Sequence, residues 1–237
     1  SCLAEQAKIL CDEAEENNWD DNRYMPRWRR WDECSLCEQY YHGVVACALG
    51  WACWKTYVGR PETDRRRVPS MTQLGTGLGL AGHHKDALSV QEAELAMQRR
   101  LGASEVDVLR VQTNLATTYG EVGQLEKALS MERDVYSGYL KLNGEEHPHT
   151  FIAVNNYATS LGRLQRFEEA KSLLRKTMPV ARSVLGDSHE LTLRMRWCHA
   201  QTLYNDPAAT LTDLREVETT LEDAERIGRR VFGGSNP

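Results

Sequence analysis

The feature that most constrains this chain is a period of 42 residues. Gly102, Gly144 and Gly186 stand 42 apart, Asn114 and Asn156 keep the same step, and so do Ala116, Ala158 and Ala200. His147-Pro148-His149-Thr150 returns as His189-Glu190-Leu191-Thr192, and the second half of each unit carries Lys85-Asp86-Ala87, Glu126-Lys127-Ala128 or Glu169-Ala170-Lys171. Four registers agreeing on one step define a structural repeat. A unit of this size cannot bury an apolar face alone, so the units must stack into a shared core.

Each unit reads as two helices joined by a short turn. In the third, Ile152, Val154, Tyr157, Ala158 and Leu161 follow helical spacing, which predicts a first helix from Pro148 to Gly162. Pro148 suits the first turn, where its missing N–H costs nothing. The turn Arg163-Leu164-Gln165-Arg166 leads to a second helix from Phe167 to Leu185, stopped by Gly186 and expected either to kink at Pro179 or to lose one backbone bond there. Ala87, Ala128 and Ala170 are small where the paired helices must cross closely. In the fourth unit Gly233 follows Gly186 by 47 residues, and the extra five fall around Asn205–Ala209, at the inter-helix turn. Ser235-Asn236-Pro237 aligns with Glu146-His147-Pro148, so a further first helix is expected to begin there. The units run about 70–102, 103–144, 145–186 and 187–233.

Asn114-Leu115-Ala116, Asn156-Tyr157-Ala158, Leu185-Gly186 and His147-Pro148-His149-Thr150 together resemble the kinesin-light-chain type of tetratricopeptide repeat (TPR), over about residues 68–237. That resemblance implies an all-α fold, a right-handed TPR superhelix of antiparallel helix pairs whose first helices line a concave groove. It also implies a non-catalytic scaffold that binds a partner peptide or protein there. The family's groove positions fall on Asn114 with Arg110 and on Asn156 with Ile152; in the fourth unit Cys198 replaces the Asn, with Arg194 one turn earlier. An Asn amide both donates and accepts, so it can clamp a peptide backbone. Arg110 and Arg194 either pair with an acidic ligand or are solvated helix-face residues.

The N-terminal segment is built differently. Six of the seven cysteines and five of the six tryptophans lie in the first 54 residues. The odd count and this distribution favour a reducing compartment, hence the cytoplasm. Cys2-Leu3, Trp28, Trp31, Cys34-Ser35-Leu36-Cys37 and Tyr41 resemble the second half of a RING-variant (RING-CH) zinc finger. The resemblance implies that Cys2 serves one zinc and Cys34 and Cys37 another, with the remaining ligands outside this chain; Cys11 or His42 are the local substitutes. It also implies an alternative function, the substrate-recognition part of a ubiquitin ligase whose finger recruits a ubiquitin-conjugating enzyme. Residues 1–42 are thus expected to be a truncated finger, and 43–69 a capping helix and linker. Residues 43–58 form an apolar helix, and Gly59-Arg60-Pro61-Glu62-Thr63 mimics the inter-unit junction, 43 residues before Gly102.

Other signals exclude function classes. A net charge of −5 argues against nucleic acid as partner. The longest apolar run, Val44 to Trp54, has 11 residues, against the ~20 of a membrane span. No charged segment followed by an apolar one opens the chain, and it starts at Ser1 without a Met, so it reads as a fragment. Gly77-Leu78-Gly79-Leu80-Ala81-Gly82 matches G-x-G-x-x-G but falls in a first helix rather than at the strand-to-helix turn a dinucleotide site needs. Arg27-Trp28-Arg29-Arg30-Trp31 is neutralised by Asp20, Asp21, Asp32 and Glu33 and reads as a packed surface, while Arg65-Arg66-Arg67 reads as a solvated linker. His83, His84, His147 and His149 show no metalloprotease pattern, and no catalytic triad or carboxylate pair stands out. No catalytic residue is expected, and no cofactor unless zinc binds the head.

Overall fold

The computed structural model describes residues 2–232; the expectations at Gly233 and at 235–237 lie outside the described residues. The described chain is helical: α1 (Cys2–Glu16), α2 (Asp21–Trp28), a single 3-10 turn (Arg29–Trp31), α3 (Gly43–Tyr57), α4 (Arg67–Leu80), α5 (His84–Arg100), α6 (Glu105–Glu121), α7 (Leu125–Asn143), α8 (Pro148–Arg163), α9 (Phe167–Leu185), α10 (Glu190–Asn205) and α11 (Leu211–Phe232). Among the described residues the only extended pairing is an isolated bridge between Glu33 and Tyr40. Two compact units divide at Val122 and Gly123, between α6 and α7.

In the first unit, α3 carries the architecture. It is apolar on every side, as a helix covered on two faces must be. Leu49, Cys53 and Tyr57 join Ala7, Cys11, Tyr24, Trp28 and Trp31 in the head's core. Cys47 and Trp54, on the other side, pack against Leu74, Leu78 and Ala87 of α4 and α5. The backbones of α3 and α4 approach so closely that a Cβ on Gly50 would stand 2.8 Å from the Gln73 carbonyl oxygen, and one on Gly77 2.5 Å from that of Ala46. The G-x-G-x-x-G string is therefore a helix-packing device: Gly77 sits at the contact, while Gly79 has nothing within 4 Å.

The arginine run is not the solvated linker its composition suggests. Glu15 accepts from Arg60 at 3.0 and 3.2 Å and from Arg66 Nε at 3.0 Å. The Arg66 guanidinium lies 3.4 Å from the Tyr24 ring centroid and Arg67 stacks over Trp54. Arg66 is only 5% exposed. A carboxylate and an aromatic face together satisfy a charge that the linker's path carries inward. Trp28 and Trp31 are buried and Arg27 covers Trp19, so the Arg/Trp string is packed as expected.

The second unit holds α7 to α11, with Phe151, Val154, Ala158, Leu174, Ala181 and Met195 at its centre. Ala87, Ala128 and Ala170 are fully buried in their respective units. The H-P-x-T string has a local cause. His147 Nδ1 accepts from the His149 N–H at 3.2 Å, Pro148 fills the first turn, and Thr150 donates its hydroxyl to the Gly144 carbonyl at 2.8 Å. His189 caps α10 in the same way. The inter-helix turns hold one left-handed residue each, Gly82, Gly123 and, in the third pair, the non-glycine Gln165 at φ 59°. Helix α9 runs through Pro179 without a break. The extra residues of the fourth pair form an ordered loop, in which Asp206 accepts from Lys171 Nζ at 2.6 Å and from the Ala208 N–H at 2.9 Å, and Thr210 and Asp213 cap α11 reciprocally.

The two helical glycines are expected to respond oppositely to alanine. Gly77→Ala forces α3 and α4 apart and lowers stability by about 1–3 kcal/mol, whereas Gly79→Ala raises it by about 1 kcal/mol through helix propensity. Urea denaturation of both variants checks this, and equal effects contradict the packing role of Gly77.

Candidate functional site

Helices α6, α8 and α10 each present an exposed stripe of mixed polar and apolar residues at three- and four-residue steps. On α6 it is Val106, Arg110, Thr117 and Glu121, with Asn114 half-buried between them. On α8 it is His149, Ile152, Thr159 and Arg163, with Asn156 half-buried. On α10 it is Arg194, Trp197, Gln201 and Tyr204. Asn114, Arg110, Asn156 and Arg194 therefore lie on their helices' open faces. Cys198 does not: it is buried, its Sγ 3.4 Å from the Thr159 hydroxyl, and burial pushes its thiol up and keeps it protonated.

The two arginines already have partners. Arg110 donates to Asp107 on its own helix at 3.3 Å, and Arg194 stands 3.4 Å from Glu190, both pairs well exposed. Such same-helix surface pairs contribute little to stability. A hollow of about 330 Å³ opens between α8 and α10, lined by Thr159, Arg163, Phe167, Cys198, Gln201 and Asn205. Thr159 and Gln201 are 42 residues apart, and Thr117 precedes Thr159 by the same step, so this lining position was present in the repeat register three residues after the Asn. Beside Asn156, Asn155 turns its Oδ1 inward.

Under two of the open-face arginines lies a buried acid. Glu94 bonds the Thr72 hydroxyl and feels Arg110; Glu132 bonds Ser160 and feels Arg163. Burial outweighs these stabilising contacts and pushes both carboxyls up to about 7.

In the head, Cys34 and Cys37 share one tight turn. The Cys37 and Leu36 N–H groups face the Cys34 sulfur, the latter at 3.5 Å, and draw its thiol down from its ordinary range. That turn suits a thiolate, but two sulfurs do not close a tetrahedral zinc site. Among the described residues no group of three Cys, His, Asp or Glu side chains is placed to hold a metal, so neither Cys11 nor His42 completes a set with Cys34 and Cys37, and Cys2 belongs to no such group. Cys11 is instead buried in the head core. No helix among the described residues is long and apolar enough to cross a membrane.

The family model of the tetratricopeptide repeat matches residues 108–149 and 153–190. Those two stretches carry TPR repeats. Among solved structures, the protein is similar to a Podosopora anserina protein described as a kinesin light chain with nearly identical TPR-like repeats, at 19% identity and a TM-score of 0.60 over 96% of this chain and 95% of that one. It is also similar to BtubC (BKLC) from P. vanneervenii, at 16% identity and a TM-score of 0.64 over 100% of this chain and 94% of that one. At these identities the likeness is one of fold. No curated protein matches the sequence.

The buried acids make a pH prediction. Their unfolded-state values lie near 4.5 and their folded values near 7. Between those limits the folded chain holds protons that the unfolded chain has released, so these groups' contribution to stability falls as pH rises from 5 to 7 and then levels. The loss is roughly 3 kcal/mol at most for each. His149 and His199, pushed down by burial, act in the opposite sense, so the comparison is with a Glu94→Gln/Glu132→Gln variant. That variant should gain on the wild type as pH rises from 5 to 8 in urea titrations; a constant difference contradicts the assignment.

Proposed function

We propose that this protein is a non-catalytic scaffold that binds an extended or helical segment of a partner protein along the first helices of its repeats. The observation that carries this reading is the hollow between α8 and α10, where Thr159, Arg163 and Gln201 present hydroxyl, guanidinium and amide groups at repeat-related positions. Those groups recognise a peptide backbone and an acidic side chain by complementary hydrogen bonds. Asn156 extends the polar surface along α8, and Asn114 holds the corresponding repeat position on α6. Arg110 and Arg194 contribute to an acidic ligand by exchanging Asp107 and Glu190 for ligand carboxylates. Seven unpaired thiols fit a reducing compartment, the cytoplasm being the natural one. The ligase-adaptor reading rests on the Cys34–Cys37 turn, and that turn lacks the further ligands a finger needs.

A peptide selected from a random library on the wild-type chain supplies the probe. Arg163→Ala/Gln201→Ala is expected to weaken it by about tenfold or more with the circular dichroism unchanged, and added salt should weaken the wild-type complex. Full affinity in this variant and in Asn114→Ala/Asn156→Ala contradicts the groove assignment.

A further inference from the structure

The last helix pair leaves an apolar face uncovered on its outer side. Trp197 and Tyr204 of α10 are 57% and 70% exposed, and Leu214 and Leu221 of α11 are 42% and 43% exposed. They surround two adjoining hollows of about 340 and 490 Å³, with Val217 shared between them. Apolar side chains gathered this way mark a surface made to be covered.

The repeat register says by what kind of element. Counting back from Gly186 and Gly233, Leu214, Val217 and Leu221 occupy the places of Phe167, Ala170 and Leu174 in the preceding pair. There Ala170 and Leu174 are fully buried, and Leu174 packs with Met195 and Cys198 of α10. The same positions on α11 are a seat shaped for a helix.

Charge gives the helix its chemistry. The places next to that seat on α9 are Lys171 and Arg175, and the elements that cover them answer with acids: Asp206 at 2.6 Å and Asp213 at 3.4 Å. On α11 the equivalent residues are Glu218 and Glu222, with Glu225 one turn on; all three line the outer hollow. The other acids of α11 are already engaged within the unit, Asp213 with Arg175, Glu216 beside His199 and Asp223 with Arg196. The sign is thus reversed at this face. A second copy of the chain would bring a second acidic face and a second net charge of −5 against it.

We propose that the groove between α10 and α11 docks a basic amphipathic α-helix of a partner protein, its apolar stripe on Trp197, Tyr204, Val217 and Leu221 and its Lys or Arg residues on Glu218 and Glu222. This surface borders the hollow between α8 and α10, sharing Gln201 and Asn205 with it, but it does not use Thr159 or Arg163.

Two fluorescein-labelled synthetic helices test this by anisotropy, sharing a Leu/Ala stripe at helical spacing but flanked by Lys/Arg in one and by Glu in the other. The basic helix is expected to bind saturably, about tenfold or more tighter than the acidic one, and less tightly in added salt. Leu221→Asp, at a partly exposed position, should abolish binding with the thermal unfolding unchanged, and Glu218→Lys/Glu222→Lys should invert the preference, while Arg163→Ala leaves it intact. Equal binding of both helices, no binding, or insensitivity to Leu221→Asp overturns the proposal. So does concentration-dependent dimerisation that Leu221→Asp removes, which assigns the face to a second copy. A version of the chain continuing past residue 237 that no longer takes the basic helix assigns the face to the chain's own residues, and overturns it too.

Discussion

The first unit depends on one close approach, the backbone contact of α3 with α4 at Gly50 and Gly77. Only residues without a Cβ allow two helix backbones to meet at that distance. The contact brings many atoms into dispersion range over a short length of helix. It also lets α3 present its opposite face to the head, where Leu49, Cys53 and Tyr57 complete a core with the tryptophans. A stack of helix pairs needs its first apolar face covered. Here the cover is a helix that serves as one wall of a second core, and the pairing of half-buried Glu15 with buried Arg66 ties the following linker to that core.

The open faces follow from the same economy of position. In α6, α8 and α10 the side that packs is filled by Leu, Val, Ala and Phe, and the remaining stripe is polar because nothing covers it. Buried Glu94 and Glu132 sit under this surface, close to Arg110 and Arg163. Burial holds the titration of each acid near neutral pH, well above the ordinary carboxylate range.

Much of this was legible in the sequence because a stacked repeat must reuse its contacts. The 42-residue step, the small alanines, Pro148 in a first turn and the insertion at Asn205–Ala209 between paired helices all correspond to features of the fold. The paired turns were legible at Gly82 and Gly123, whose positive φ glycine tolerates, and less so at Gln165, which adopts the same conformation against its preference. The role of Gly77 was hidden, since a string that matches a nucleotide motif carries no sign of the backbone lying against it. The burial of Arg66 was hidden too, because its partners Glu15 and Tyr24 lie more than 40 residues away in sequence. Thr159 and Gln201 could have been found from their own 42-residue step, had the register been followed past the Asn to the next exposed turn. In the head, spacing within Cys34–Cys37 speaks for two ligands and says nothing about where a third comes from.

Native-state hydrogen exchange across the first unit tests the central claim most directly, that α3 belongs to the repeat stack as much as to the head. If the glycine-mediated contact joins them, the central amides of α3 and α4 open in one cooperative step with the same free energy and the same dependence on denaturant. If α3 exchanges with the head at a markedly lower free energy while α4 remains protected, the contact does not couple them, and the account of how this stack begins is wrong.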